Sequence, residues 1–183
     1  KASKMVKDLS EFYRIGVSKG SFYITLGEEN KHTECYLSIL QNRFEDFNYL
    51  IDIPDTYSTL TVPKLILQPL VENSLIHGLR PYRKDGCITI KAFSSNSAVY
   101  LTVEDNGCGM EDAYISKLYH EMDSPATDSK KTDTYGLKNV NDRLKLFYGS
   151  KFRLIIHSQP DKGTKIIIPL KEVLPNDENT FCR

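Results

Sequence analysis

Apolar residues near the start of the chain recur with the spacing of an amphipathic helix. Two glycines, Gly16 and Gly20, follow this apolar stripe, which consists of Met5, Leu9, Phe12 and Tyr13. Thr25 and Glu28 then have the spacing of a capping box, in which each side chain bonds the backbone N–H of the other residue. This predicts a second helix, whose apolar face carries Leu26, Thr33, Leu37, Leu40 and Phe44. The helix pair is interpreted equally as a packing or dimerisation element and as a cover for the domain that follows.

After residue 46 the pattern changes to short apolar runs bounded by turn residues, which is typical of strands. We expect strands at 47–53, 59–62, 87–93, 98–104, 152–157 and 164–170. Helices are expected at 65–77, closed by Gly78, and at 137–148. A long polar stretch at 107–135 separates the strands at 87–104 from the second of these helices. Strands in adjacent pairs with helices between them favour an α+β two-layer α/β sandwich over a doubly wound sheet.

The charge balance of the chain narrows the classes of partner. Its 183 residues include 24 Lys+Arg and 24 Asp+Glu, which gives a formal net charge of zero. A nucleic-acid-binding protein normally carries a basic excess, so we expect no nucleic-acid partner.

The cysteines and the apolar runs exclude further classes of protein. The four cysteines contain no C-x-x-C pair, which argues against a zinc site or a disulfide framework. No apolar run approaches the ~20 residues that cross a bilayer. We expect the sequence to be a fragment of a longer protein, because it does not begin with Met.

The first candidate segment is 67–78, which includes most of the first expected helix of the sheet region. Glu72, Asn73 and His77 fall on its polar edge, where an acid, a carboxamide oxygen and an imidazole could hold a hydrated Mg²⁺ and nearby phosphates. Magnesium keeps several of its waters, so a site of this kind needs few protein ligands. The same pattern is also that of an amphipathic helix with a solvated polar face.

The second segment is a strand that runs into the glycine-rich sequence at 105–110. Asp105 carries an acceptor-only carboxylate, which suits an exocyclic amine such as that of adenine. Gly107 and Gly109 would let the backbone approach a flat ligand, because no Cβ stands in the way. Asp, Asn and Gly are also the usual residues of a turn that ends a strand, and that interpretation stays open.

Two further segments complete the pattern. Gly136 stands at the mouth of a helix, where exposed N–H groups attract phosphate, and Lys138 and Asn139 could add side-chain donors. Thr164 follows Gly163 at the start of an apolar strand, and its hydroxyl could reinforce Asp105 directly or through water. The alternatives are an ordinary helix start and a hairpin turn.

In their order and spacing, these four segments resemble the motifs of the GHKL, or Bergerat-fold, ATP-binding domain. Residues 72–78 resemble its N box, 105–109 its G1 box, 136–139 its G2 box, and 163–164 its closing motif. The wording of 67–73 and 136–144 resembles the LytS/YesM-like sensor histidine kinases of bacteria, as does the second helix with its ending Arg43-Phe44. The resemblance extends over nearly the whole chain, to Val173.

The resemblance implies a division of the chain into three parts. Residues 1–46 would be a short helical segment at the end of a dimerisation and phosphoacceptor region. Residues 47–174 would be the ATP-binding catalytic domain, with a mixed sheet covered by helices, and 175–183 a flexible tail. It also implies an autokinase that passes the γ-phosphoryl of ATP to a histidine on its own phosphoacceptor helix, and then to an aspartate of a response regulator. The full-length protein would be a homodimer, and this chain the cytoplasmic portion of a bacterial membrane sensor.

By the same resemblance, individual residues acquire expected roles. Asn73 would coordinate Mg²⁺, Asp105 would bond the adenine amine, and Glu72 would be the local acid or base. Thr164 would support the adenine site, which Gly107 and Gly109 would shape. The remaining nucleotide contacts would come from His77, Met110, Gly136, Leu137, Lys138 and Asn139, the last four of them at the phosphates.

The chain departs from this family's pattern in three places. Nothing in it matches the Pro-His-Phe-Leu-Phe-Asn-like phosphoacceptor motif, so we expect the sequence to begin after that histidine and His32 to pack between helices. Ile76 stands where a basic residue usually contacts phosphate, and Thr134 where the G2 box usually has its first glycine.

Two rival functions stay open. One is a nucleotide-binding module that is catalytically weakened, and the other is a GHKL ATPase of the chaperone or DNA-repair kind, in which Glu72 activates water.

Overall fold

The chain begins with a pair of helices, as its apolar pattern predicts. The computed structural model describes residues 2–17, 20–44, 47–79, 85–96, 98–124 and 135–172. Helix α1 spans Ala2–Gly16 and helix α2 spans Leu26–Arg43. The predicted capping box is confirmed at the start of α2, where Thr25 Oγ1 accepts from the Glu28 N–H at 3.2 Å and Glu28 Oε2 accepts from the Thr25 N–H at 2.9 Å.

The two helices pack through one face of α1 only. Phe12 stacks on His32 with ring centroids 4.3 Å apart, and Ser38 Oγ donates to Asp8 Oδ2 at 2.7 Å. His32 is buried in this interface, and burial lowers the pKa of its imidazole. The rest of the α1 stripe faces solvent, with three large side chains exposed, namely Met5, Leu9 and Tyr13.

A five-stranded mixed sheet forms one layer of the fold. Its strands are β2 (Phe47–Asp52), β4 (Gly86–Ser95), β5 (Ala98–Asp105), β6 (Ile155–Gln159) and β7 (Gly163–Glu172). Their order across the sheet is β2-β4-β5-β7-β6; β2 runs parallel to β4 and the other neighbouring pairs are antiparallel. A separate antiparallel ribbon pairs β1 (Tyr23–Thr25) with β3 (Thr61–Pro63), and so ties the start of α2 to the region after β2.

The second layer consists of helices that pack on this sheet. Helix α3 spans Leu67–Asn73 and continues as wider, π-helical turns over Ser74–Leu79. Helix α4 spans Asp112–Asp123 and helix α5 spans Tyr135–Tyr148. Fully buried side chains from both layers make one core, among them Leu70, Ile90, Leu101, Leu144 and Ile168. The expected α+β fold with helices covering a mixed sheet is therefore confirmed.

Four predictions need correction, and the first is the strand expected at 152–157, which spans Ile155–Gln159. The polar stretch at 107–135 contains α4, which the apolar pattern missed because only Leu118 and Met122 of this helix are buried. Helix α3 starts at Leu67, and its helical turns run through Gly78 to Leu79 instead of stopping at Gly78. The short strand expected at 59–62 is Thr61–Pro63.

Thr134 and the predicted tail at 175–183 lie outside the described residues. Within the described ranges, none of the helices combines the length and apolar character needed to cross a membrane.

A buried carboxylate holds the turn that leads into α3. Glu29 of α2 is fully buried, and its two oxygens accept the backbone N–H groups of Leu65, Ile66 and Leu67 at 2.9, 2.7 and 2.9 Å. Leu65 has a φ of 58°, a left-handed conformation that is unfavourable for a leucine. Burial raises the pKa of Glu29, and the three N–H donors and the charge of Arg143 act against that rise. Glu29 thus caps a helix from a position 36 residues earlier in the sequence.

We expect Glu29→Gln to lower the free energy of unfolding by about 1–3 kcal/mol, because an amide leaves at least one of the three buried N–H groups facing another donor. The measurement is urea denaturation followed by circular dichroism. Glu34→Gln is the matched control on the same helix: Glu34 pairs with the exposed Lys31, and such a surface pair contributes about 1 kcal/mol or less. An equal effect of the two substitutions would contradict the capping role of Glu29.

Candidate functional site

The site is organised around Asp105, at the end of β5. Only 4% of this residue is exposed. Its Oδ1 accepts the backbone N–H of Gly107 at 2.9 Å and that of Thr164 at 3.3 Å, and the Ser74 side chain also hydrogen-bonds to the carboxyl. Burial raises the pKa of Asp105, while these three hydrogen bonds act against the rise. The result is a carboxyl group that is fixed in orientation inside the protein.

This carboxyl group opens onto a cavity between the helical layer and the sheet. The space inside it is about 510 Å³, a figure that includes the part open to solvent. The polar predicted residues on its wall are Asn73, His77, Asp105 and Thr164. Gly109, Met110 and Leu137 line it as well, so predicted residues from four separate segments meet there.

Glycines allow three backbone segments to touch beneath the cavity. A Cβ on Gly107 would lie 2.3 Å from the carbonyl oxygen of Gly78, and a Cβ on Gly109 would lie 1.9 Å from that of Gln159. Gly109 also has a φ of 65°. The Cys108 N–H, between them, donates to the Gly78 carbonyl at 3.0 Å. The sequence suggested that these glycines make room for a flat ligand, whereas in the structure protein backbone takes up the space that a Cβ would need.

Ser158 of β6 joins two segments of the candidate site, and the sequence reasoning missed it. Its hydroxyl accepts the Met110 N–H at 2.8 Å and lies 2.9 Å from both the Gly163 carbonyl oxygen and Thr164 Oγ1. Thr164 therefore supports Asp105 through its backbone N–H, while its hydroxyl pairs with Ser158. A serine in a strand carries no sequence signal of this kind. Ser74 was detectable, because it stands one turn before Gly78 on a helix already chosen as a candidate.

Helix α4 contributes the other residues that were missed. Tyr114 and Leu118 of this helix line the same cavity as Asp105, and so does Ile166 of β7. The signal available in the sequence was the pair Leu118 and Met122, whose spacing of four residues is that of one helical face.

Glu72 does not share the cavity with its neighbour Asn73. Its Oε1 accepts the Tyr36 hydroxyl of α2 at 2.8 Å and the Gln68 amide of α3 at 2.9 Å. The polar edge that the sequence predicted is therefore divided: Asn73 and His77 face the cavity, and Glu72 faces the helical segment.

The four residues expected at the phosphates are divided in a similar way. Leu137 lines the main cavity, whereas Gly136 and Asn139 line a second one between the starts of α3 and α5, with about 460 Å³ of space including the part open to solvent. Lys138 is tied to the protein, since its Nζ donates to the Ser124 carbonyl at 2.6 Å and lies 3.5 Å from Asp142 Oδ2.

Two family models match this chain, one over most of the sheet and the helices that cover it and the other over the helical segment. A model described as "Histidine kinase-, DNA gyrase B-, and HSP90-like ATPase" matches residues 61–174. A model described as "Histidine kinase" matches residues 1–48.

Curated relatives match almost the whole chain. The sensor histidine kinase YesM of Bacillus subtilis is 34% identical over 169 residues, which cover 92% of this chain and 27% of the relative. The sensor protein LytS of Staphylococcus haemolyticus is 35% identical over 86% of the chain and 27% of the relative. LytS of Streptococcus mutans is 36% identical over 91% of the chain and 28% of the relative. The chain thus spans less than a third of the length of each of these proteins.

Solved structures with the same fold are more distant in sequence. The histidine kinase domain of the blue-light activated kinase EL346 from Erythrobacter litoralis superposes with a TM-score of 0.55 at 16% identity, covering 92% of this chain and 78% of that one. The catalytic domain of the histidine kinase ThkA gives a TM-score of 0.58 at 15% identity, with 82% and 95% covered.

We expect Gly109→Ala to destabilise the protein more than Gly20→Ala does. Both glycines have nearly the same left-handed φ, 65° and 66°, so the backbone strain of about 1–2 kcal/mol is common to both. Of the two, Gly109 is the one where the new Cβ meets backbone, whereas at Gly20 no atom of the described residues outside its chain neighbours lies within 4 Å. The collision should add about 1–3 kcal/mol, measured as the difference between the two variants in urea denaturation. Equal losses would mean that the contact under the cavity is not tight.

Proposed function

The chain belongs to the histidine kinase-, DNA gyrase B- and HSP90-like ATPases, and among them to the LytS/YesM-like sensor histidine kinases; on this premise we propose that it is the ATP-binding catalytic region of a two-component kinase. The γ-phosphoryl of ATP would pass to a histidine on a segment of the full-length protein outside this sequence, and then to an aspartate of a response regulator. The observation that carries the proposal is the buried Asp105 carboxyl, which is held in one orientation at the wall of the cavity.

Adenine is the group that this arrangement suits best. An ionised carboxylate only accepts hydrogen bonds, so Asp105 selects a ring that carries an amine over one that carries a carbonyl. Met110, Leu118 and Ile166 give the cavity apolar walls on which the faces of a flat ring can pack. Gly107 and Gly109 act indirectly here, by bringing the loop that contains Met110 close to β6.

Magnesium and the phosphates would lie toward Asn73. The Asn73 carboxamide lines the cavity and makes no hydrogen bond to any described residue. Within the described ranges, no group of three His, Cys, Asp or Glu side chains could hold a metal. The Asn73 carboxamide fits Mg²⁺, which uses one or two protein ligands and takes the rest from water and substrate phosphates. When bound, it would neutralise charge on the phosphates, and Lys138 would contact them only after leaving Ser124 and Asp142.

The parts of the chain would divide the work of the kinase. Residues 1–46 would be the end of the dimerisation and phosphoacceptor region, and the exposed apolar stripe of α1 supports pairing with a second copy. Residues 47–174 would be the catalytic domain, with Glu72 as the local acid or base. The match of residues 1–48 to the histidine kinase model supports a kinase over an ATPase of the chaperone or DNA-repair kind. The full-length protein would be a membrane sensor whose cytoplasmic portion includes this chain.

A second candidate is a module that binds nucleotide and relays conformation without transferring phosphate. Two observations favour it. Ile76 is 52% exposed beside His77, at the position where the family usually has a basic residue, and Lys138 is held by other groups. The experiment that separates the two functions is incubation of the full-length protein with Mg-ATP, since only a kinase produces acid-labile phosphohistidine.

We expect Asp105→Asn to weaken Mg-ATP binding about ten- to a hundredfold, because the hydrogen bond from the adenine amine to a charged acceptor is lost. The measurement is isothermal titration calorimetry of the chain. Glu104→Gln is the matched control: this neighbour on β5 is exposed and pairs with Lys165, and successive strand residues face opposite sides of the sheet. GTP should bind the wild-type chain far more weakly than ATP, and Asp105→Asn should narrow the difference.

The pH dependence of binding gives a further check on the same residue. Since burial raises the pKa of Asp105, its protonation should weaken ATP binding at a pH above the ordinary aspartate pKa of about 3.9. ATP should bind with its full affinity at neutral pH, and the affinity should fall as the pH is lowered toward the raised pKa of Asp105. If Asp105→Asn binds ATP as tightly as the wild type, the adenine assignment is wrong.

A further inference from the structure

The carboxylate of Glu72 is held by two side chains that lie outside the nucleotide cavity. The Tyr36 hydroxyl and the Gln68 amide both donate to Oε1, at 2.8 and 2.9 Å. Resting on the proposed function, we propose that Tyr36 and Gln68 are positioning residues: they orient the Glu72 carboxylate to take the proton from the phosphoacceptor histidine.

The two donors leave one oxygen of Glu72 available. Both hydrogen bonds fall on Oε1, and Oε2 makes none within the described part of the chain. A carboxylate anchored through one oxygen keeps a fixed direction for the other. An acid or base that is oriented by a third group in this way is the usual arrangement around an activated nucleophile.

Tyr36 is well suited to be a donor. Its ring is half-buried and stacks on Phe12, with centroids 5.7 Å apart, which restricts the position of the hydroxyl. Burial and the neighbouring Glu72 raise the pKa of Tyr36, so the hydroxyl keeps its proton near neutral pH. Gln68 lies one helical turn before Glu72, where spacing alone brings the two side chains together.

The location of Glu72 fits a role at the acceptor histidine better than a role at the nucleotide. Asn73, the next residue, faces the nucleotide cavity, whereas Glu72 faces α2 of the helical segment. In the transfer, the lone pair of one imidazole nitrogen forms the N–P bond, and the bond from Pγ to the bridging oxygen breaks with its electrons leaving on ADP. The proton on the other ring nitrogen then passes to Oε2 of Glu72.

This contact also joins two parts of the chain. Tyr36 belongs to the helical segment and Glu72 to the helix that lines the cavity, so the direction of the carboxylate depends on how α2 sits against α3.

The test measures autophosphorylation of the full-length kinase with Mg-ATP. We expect Tyr36→Phe to lower kcat about three- to tenfold, a part of the 10²–10⁴-fold that a positioned acid or base contributes, with the KM for ATP unchanged within about twofold. Gln68→Met, which keeps the length of the side chain, should have a similar effect. Tyr49→Phe, at a half-buried tyrosine of β2, is the control and should have the wild-type rate.

A double-mutant comparison separates positioning from a general loss of structure. In a Glu72→Ala background the carboxylate is gone, so adding Tyr36→Phe should cause no further loss of kcat. An equal loss in both backgrounds, an effect confined to KM, an increased rate or a wild-type rate for Tyr36→Phe would each overturn the inference. A wild-type protein that binds no ATP or forms no phosphohistidine would instead overturn the proposed function on which the inference rests.

Discussion

The structure depends on the buried carboxylate of Glu29, which joins the helical segment to the helix that carries the site. Its three N–H partners form the turn that starts α3, and the left-handed Leu65 is held within that turn. Arg143 of α5 donates to the carbonyl oxygens of Lys64 and Leu65, so a third helix is fixed at the same point. Because α3 is anchored at its first turn, its later residues have fixed directions, with Glu72 toward α2 and Asn73 toward the cavity.

Local chemistry made part of this fold predictable. The capping box of Thr25 and Glu28 depends on residues three apart, and β4, β5 and β7 carry long apolar runs, so these elements were found close to their observed bounds. Glu29 stands beside the capping box, yet its partners lie 36 to 38 residues away, and no local pattern specifies them. Helix α4 was missed because it is mostly exposed to solvent: only two of its 12 residues are buried, so its apolar periodicity is weak.

The candidate site was predictable as a set of motifs and not as a geometry. The order of the four segments identified Asn73, Asp105 and Thr164, which meet at one cavity. It did not specify that Ser158 joins two of those segments, because that contact arises only when β6 pairs with β7. The assignment of Glu72 and Asn73 to one helix edge neglected the turn of about 100° between successive residues of an α-helix. That rotation sends the two side chains to different neighbours.

The π-helical turns at Ser74–Leu79 determine how many residues fit between Asn73 and Gly78, which are held at two places in the site. Asn73 is held at the cavity by the preceding α-helix, and Gly78 is held from the other side by the Cys108 N–H and by the close approach of Gly107. A π turn bonds residues five apart and is wider than an α turn, so it places more residues within the same axial length. The residues between Asn73 and Gly78 therefore fit into the available axial distance because the turns are wide. A shorter stretch with ordinary α-helical turns would place a residue other than Gly78 against the Asp105 carboxyl.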